Sequence, residues 1–253
     1  MARTLGGDPN QVAVKGRKVL VGWLGYAGGK DIAMQSLGRD LTLSKDYELL
    51  QQFVPELKML RIVSSYTHHT VDGDQNDSTG RAARKEVSVP GSALMEVVAS
   101  FELSAKYFER SSRDKAAVPP SNATLMETAP AFGVTVLGGG ATGEYTVTLA
   151  MTTKSATVRG KGIPRAPAGG ITGPLWGISS TVTLHAIIDK GVIEVIFNNR
   201  TAIATNTKLE SPNATEISLF VRRRIRASFM QSLQHFPSTT VRLIRCVLVS
   251  YRA

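Results

Sequence analysis

Carboxylates come first among the residues that could do chemistry here. A pair of them about 5 to 10 Å apart can cleave a glycosidic bond, one as acid and one as nucleophile. Asp8 sits in Asp8-Pro9-Asn10, and Asp40, Asp46, Glu48 and Glu56 follow within the first quarter of the chain. Spacing alone selects no pair from this set, and a solvated surface is the default for each. His68-His69 offers imidazoles for a metal, but neighbouring positions point in different directions and no third ligand is spaced to join them. Cys246 is the single cysteine, so it has no disulfide partner within the chain and reads as a small core residue. Gly138-Gly139-Gly140-Ala141-Thr142-Gly143 satisfies the letters of a dinucleotide fingerprint. That motif needs a helix after it, whereas EYTVTLAMTT alternates as a strand does, so a glycine-rich hairpin loop is expected.

Charge narrows the function classes. The 253 residues carry a formal net charge of +10, which raises nucleic acid as a partner. Its distribution argues against that. No acidic residue follows Glu216, while Arg222, Arg223, Arg224, Arg226, Arg242, Arg245 and Arg252 supply seven positive charges, leaving +3 for the body. The run Arg222-Arg223-Arg224 reads as a solvated segment. No aromatic platform or recognisable nucleic-acid module accompanies it. No stretch of eighteen apolar residues suggests a membrane-spanning helix, and Met1 to Asn10 has no apolar core for a signal peptide. Sequons at Asn76, Asn122, Asn199 and Asn213 are compatible with a secretory route.

The elements that would position these residues are strands. Val19, Leu20, Val21 and Trp23 suit a buried strand, and Leu37, Arg39, Leu41 and Leu43 alternate. Pro55 is placed as a first helical residue, with Leu57 and Leu60 three apart, so a short helix ends near Arg61. From Ser92 a period of two takes over. Met95, Val97, Ala99, Phe101 and Leu103 share one face, against Glu96, Ser100 and Glu102. Phe132, Val134 and Val136 repeat the pattern, as do Tyr145, Val147, Leu149 and Met151. Val182, Leu184, Ala186 and Ile188 continue it, followed by Ile193, Val195 and Phe197. Asp189-Lys190-Gly191 and Asn198-Asn199 between such runs tolerate the positive φ of tight hairpins. The fold class is all-β, an antiparallel β-sandwich.

Three blocks in order resemble glycoside hydrolase family 32, the invertases, inulinases, levanases and related fructosyltransferases. GRKVLVGWLGY (16–26) is similar to the strand closing that family's catalytic β-propeller. QSLGRDLTLSKDYELLQQFVPELKMLR (35–61) resembles its S-L-P-R-E-L strand and linker helix, with Gly38 for the usual proline and Asp40 for the usual glutamate. LHAIIDKGVIEVIFNNRTAIAT (184–205) resembles the hairpin near the end of its C-terminal sandwich, with Gly191 where serine is more common. SALMEVVASFEL (92–103) fits an early sandwich strand more loosely.

The resemblance implies a division of the chain. Residues 1–45 would be the remnant of a last propeller blade, left with two orphaned strands that either fold onto the sandwich or expose apolar edges. Residues 46–62 would be a linker helix, 63–220 the sandwich, and 221–253 a basic tail outside the resemblance. It also implies a parent enzyme that hydrolyses or transfers fructosyl groups with two carboxylates, in a secreted or vacuolar-type compartment. The family's catalytic motifs, N-D-P-N, R-D-P and E-C, are absent; Asp8-Pro9-Asn10 lacks the preceding asparagine and lies too close to the closing strand. No catalytic, cofactor-binding or metal-binding residue is therefore assigned, and no cofactor, nucleic acid or membrane partner is expected. The expected partners are a propeller catalytic domain and, in the parent, a fructose-containing saccharide. The rival reading is a free-standing carbohydrate-binding sandwich, which would hold sugar rings on exposed aromatics; aromatics are only 6% of the chain.

Overall fold

The structure, a computed structural model, describes residues 2–6, 17–24, 34–60, 67–71, 83–89, 94–103, 131–138, 145–152, 155–161, 163, 169–175, 178, 180–189, 191–207, 215–222 and 241–250. Asp8, Asn76, Asn122, Asn213 and the run from Arg223 lie outside them. Five strands come first: β1 (Ala2–Gly6), β2 (Lys18–Leu24), β3 (Met34–Gln35), β4 (Arg39–Leu43) and β5 (Leu49–Phe53). A 3-10 helix, Pro55–Leu60, follows. Next are β6 (Thr67–Val71), β7 (Ala83–Val89), β8 (Leu94–Leu103), β9 (Ala131–Gly138), β10 (Tyr145–Met151) and β11 (Ser155–Arg159). The last six are β12 (Ile171–Pro174), β13 (Thr181–Asp189), β14 (Val192–Phe197), β15 (Thr201–Asn206), β16 (Thr215–Arg222) and β17 (Val241–Ser250).

Period-two burial drives the assembly. One six-stranded sheet runs β12-β11-β10-β9-β16-β7 and the other β15-β14-β13-β8-β17-β6. The expected inward residues form one core between them: Met95, Val97, Phe101, Phe132, Val134, Leu149, Leu184, Ile193 and Phe197 are all buried. Phe101 and Phe132 meet from opposite sheets, ring centroids 4.9 Å apart at 51°. The all-β antiparallel sandwich is the observed fold. At Gly133 of β9 a Cβ would fall 2.0 Å from the Leu149 carbonyl oxygen, so only glycine lets β10 approach there.

The hairpin β13–β14 has the register that the sequence implies. Leu184 faces Phe197, Ala186 faces Val195 and Ile188 faces Ile193. Asn198 and Asn199 take φ of 49° and 53°, the left-handed values a tight turn into β15 requires. Tyr145 pairs with Gly138, so the glycine-rich stretch between them joins two antiparallel strands and no helix follows it.

Three stretches differ from expectation. Leu49–Phe53, inside the expected linker segment, is a strand, while the short helix expected from Pro55 to near Arg61 is present as a 3-10 helix, Pro55–Leu60. The N-terminal residues are no pair of orphans: β1-β2-β4-β5 form a four-stranded antiparallel meander with β3 paired to β2. Within the expected tail, β16 continues to Arg222, and β17 is an inner strand between β8 and β6. The physical reason for missing β17 is a register shift between Leu243 and Arg245, which breaks the alternation of Val241, Leu243 and their neighbours.

The β4–β5 turn is closed by Ser44. Its Oγ accepts from the amides of Asp46 (3.2 Å) and Glu48 (3.1 Å), and its carbonyl accepts from Tyr47 N–H at 3.0 Å. That bonding holds Tyr47 at φ 60°, with its side chain 85% exposed. A Cβ in that region costs about 1 kcal/mol or more.

Two expectations follow. Phe197→Ala should destabilise by about 3–5 kcal/mol in urea unfolding, whereas Glu102→Ala, on the outer face of β8, should stay within about 0.5 kcal/mol. Equal midpoints for the two variants would place Phe197 outside the core. Tyr47→Gly should raise stability by roughly 0.5–1 kcal/mol, because relief of the left-handed strain exceeds the extra chain entropy; a loss would show that the tyrosine packs on something.

Candidate functional site

Of the candidate carboxylates, Asp40, Glu48 and Glu56 are held by arginines rather than paired with one another for catalysis. Arg17 Nε donates to Asp40 Oδ1 at 2.6 Å, and its two terminal nitrogens grip both oxygens of Glu56, one at 2.7 Å. The guanidinium pulls the Glu56 carboxyl down to about 2, and Glu56 and then Asp40 raise Arg17 further above its ordinary value. A general acid for glycoside cleavage needs the opposite shift. Glu48 Oε2 accepts from Arg200 Nε (3.0 Å) and Nη2 (2.6 Å). Asp46 lies in the exposed turn. His68 and His69 fall on β6, where His69 pairs with Cys246 and His68 with Val247 of β17. Among the described residues no group of three or more His, Cys, Asp or Glu could hold a metal ion.

The residues that are chemically out of the ordinary lie where the N-terminal sheet covers the outer face of the sandwich. β14 is buried on both sides, all six residues of it. Its inward positions face the core; its outward ones, with Ile187 of β13, face β4, β5 and the 3-10 helix. Phe53, Ile187 and Ile196 form an apolar cluster, joined by Leu37, Leu57 and Ala202. Phe53 stands edge-on to the His185 ring, centroids 4.8 Å apart at 83°. His185 Nε2 in turn lies 2.6 Å from Oε1 of buried Glu96.

Hydrogen bonds cross this joint. Gln51 N–H donates to Asn199 O at 2.7 Å, and its side-chain amide donates to Arg200 O at 2.7 Å. Arg39 Nη1 donates to Gln51 Oε1 at 3.2 Å, while Arg39 Nε is buried with no partner. Leu37 N–H donates to Glu194 Oε1 at 2.7 Å. Glu194 is 5% exposed, and burial pushes its carboxyl up to about 7 despite the Leu37 bond and the nearby Arg39 charge. The Arg39 guanidinium is lowered from its ordinary value, also by burial. Desolvation outweighs attraction on both sides of this pair.

Sequence reasoning missed Glu96, His185 and Glu194 because each alternates with inward residues and so reads as solvent-facing. The signal was present in VIEVIF itself: Val192 and Ile196 put apolar side chains on the outward parity, which marks a strand covered on both faces. As an arrangement, the joint can clamp two sheets and hold a proton at Glu194. It does not bring an acid and a nucleophile together.

Comparison with known proteins comes from structure alone, since the sequence matches no family model and no curated protein sequence. The β-fructofuranosidase of Schwanniomyces occidentalis, solved with fructosyl-erythritol, superposes with a TM-score of 0.61 at 12% identity, covering 98% of this chain and 46% of that one. The exo-inulinase of Aspergillus awamori gives 0.59 at 13% identity over 94% of this chain and 41% of its own. A glycoside hydrolase family 32 protein of Bifidobacterium adolescentis gives 0.55 at 16%, over 99% and 31%. The chain thus spans less than half the length of these solved structures. At such identities the likeness is one of fold, and the fold is that of part of the glycoside hydrolase family 32 enzymes.

Proposed function

We propose that this chain is the C-terminal part of a β-fructofuranosidase-type enzyme of glycoside hydrolase family 32, and that it does not cleave fructosides by itself. The observation that carries the reading is the seating of a four-stranded antiparallel meander on a β-sandwich, in a chain that superposes on fructoside-cleaving enzymes over less than half their length. In this reading β1 to β5 are the last blade of a propeller, with the 3-10 helix leading into the sandwich. The acid and nucleophile belong to the remainder of the propeller, which is the partner. The substrate of the whole enzyme is a fructose-containing saccharide. The ion pairs agree with a scaffolding role: Asp40, Glu48 and Glu56 are each tied to an arginine, and Glu194 is enclosed.

The test is a fructose-release assay on the purified chain, its fold checked by far-ultraviolet circular dichroism, with sucrose and inulin as substrates. No turnover above the buffer rate is expected, because losing the nucleophile and the acid each removes several powers of ten in rate. Turnover that disappears on Asp8→Asn would overturn the reading and make Asp8 a nucleophile.

A further inference from the structure

Glu194 is the one charged side chain on β14, and it lies beneath the N-terminal sheet rather than at the rim. The bond from Leu37 N–H ties it across the joint at 2.7 Å. Leu37 sits between β3 and β4, so this bond joins the covering sheet to the sandwich. No ion pair reaches Glu194 among the described residues; Arg39 of β4, whose charge it feels, spends its Nη1 on Gln51 instead. The other charged or titratable groups at the joint are engaged with each other. His185 of β13 is bound to Glu96 of β8, and Arg200 after β14 to Glu48 before β5. An enclosed carboxyl with one backbone donor and no paired cation favours its neutral form.

We propose that the seating of the N-terminal sheet on the sandwich is coupled to protonation of Glu194, tight when that carboxyl is neutral and looser when it is ionised. This holds independently of the enzymatic reading. Lifting β4 and β5 away would return Glu194 to water, with an ordinary carboxylate value of 4.5, against about 7 when covered. The covered state therefore binds the extra proton. Its advantage is fully present below about pH 4.5, declines as pH rises through about 7, and is level above that. A rise from 4.5 to about 7 corresponds to a change of roughly a hundredfold or more in the seating equilibrium.

Hydrogen exchange of the full chain, corrected for intrinsic rates, reads this directly. Between pH 5 and pH 8 the amides of Leu37 and Gln51, which donate across the joint, should lose about a hundredfold in protection relative to Val147 in the sandwich core. In Glu194→Gln that pH dependence should vanish. The same loss in Glu194→Gln, or an equal loss at Val147, would overturn the proposal. Should the variant not fold, the carboxyl-carbon shift of Glu194 in the unmodified chain decides. Titration near 7 supports the coupling, and titration near 4.5 refutes it.

Discussion

β14 is a strand without a solvent face, buried at all six positions. β14 buries Ile193, Val195 and Phe197 in the sandwich core and Val192, Glu194 and Ile196 on the other side. A two-layer sandwich leaves its outer faces to water, so burial of that second side calls for a third layer. The N-terminal meander supplies it. Covering Ile187, Ile196 and Phe53 stabilises the joint by about 1.5–3 kcal/mol for each side chain fully buried. Enclosing Glu194 and the Arg39 Nε works against that gain, and the bonds from Leu37 and Gln51 offset part of it.

The two glutamates of the N-terminal region and of β14 show how surroundings divide one residue type. Glu56, open to solvent and gripped by Arg17, is held down to about 2; Glu194, enclosed with a single backbone donor, is held up to about 7. Those are the directions that an acid–nucleophile pair exploits, yet here the raised group is under a sheet and the lowered one is locked to an arginine. Each serves the attachment of one element to another. These polar residues join the layers of the fold.

Legibility in the sequence followed the number of faces each strand buries. Wherever one face met the core, alternation located the inward residues: Met95 to Leu103, Phe132 to Val136, Val182 to Ile188. The turn residues Asn198 and Asn199 followed from backbone freedom, and the glycine-rich hairpin after β9 from the alternation of the strand that follows it. Reading failed where a second rule overrode the period. A bulge between Leu243 and Arg245 hid β17 inside an arginine-rich run. Leu49 to Phe53 carries leucines at adjacent positions and two glutamines, which fit a helix as well as a strand whose partner, β4, comes from the preceding segment. Glu194 and His185 were missed because the layer covering them is built from residues more than a hundred positions away, and no local pattern records that contact.

The N-terminal sheet and the sandwich unfold as one body, and Trp23 on β2 can report on it. With Trp176 replaced by Phe, the remaining tryptophan follows the N-terminal sheet, while far-ultraviolet circular dichroism is dominated by the two six-stranded sheets of the sandwich. In a urea titration at pH 5, where Glu194 is neutral and the joint is tight, the two signals should share one midpoint. A tryptophan transition complete before most of the dichroism changes would mean that the sheet hangs free of the sandwich.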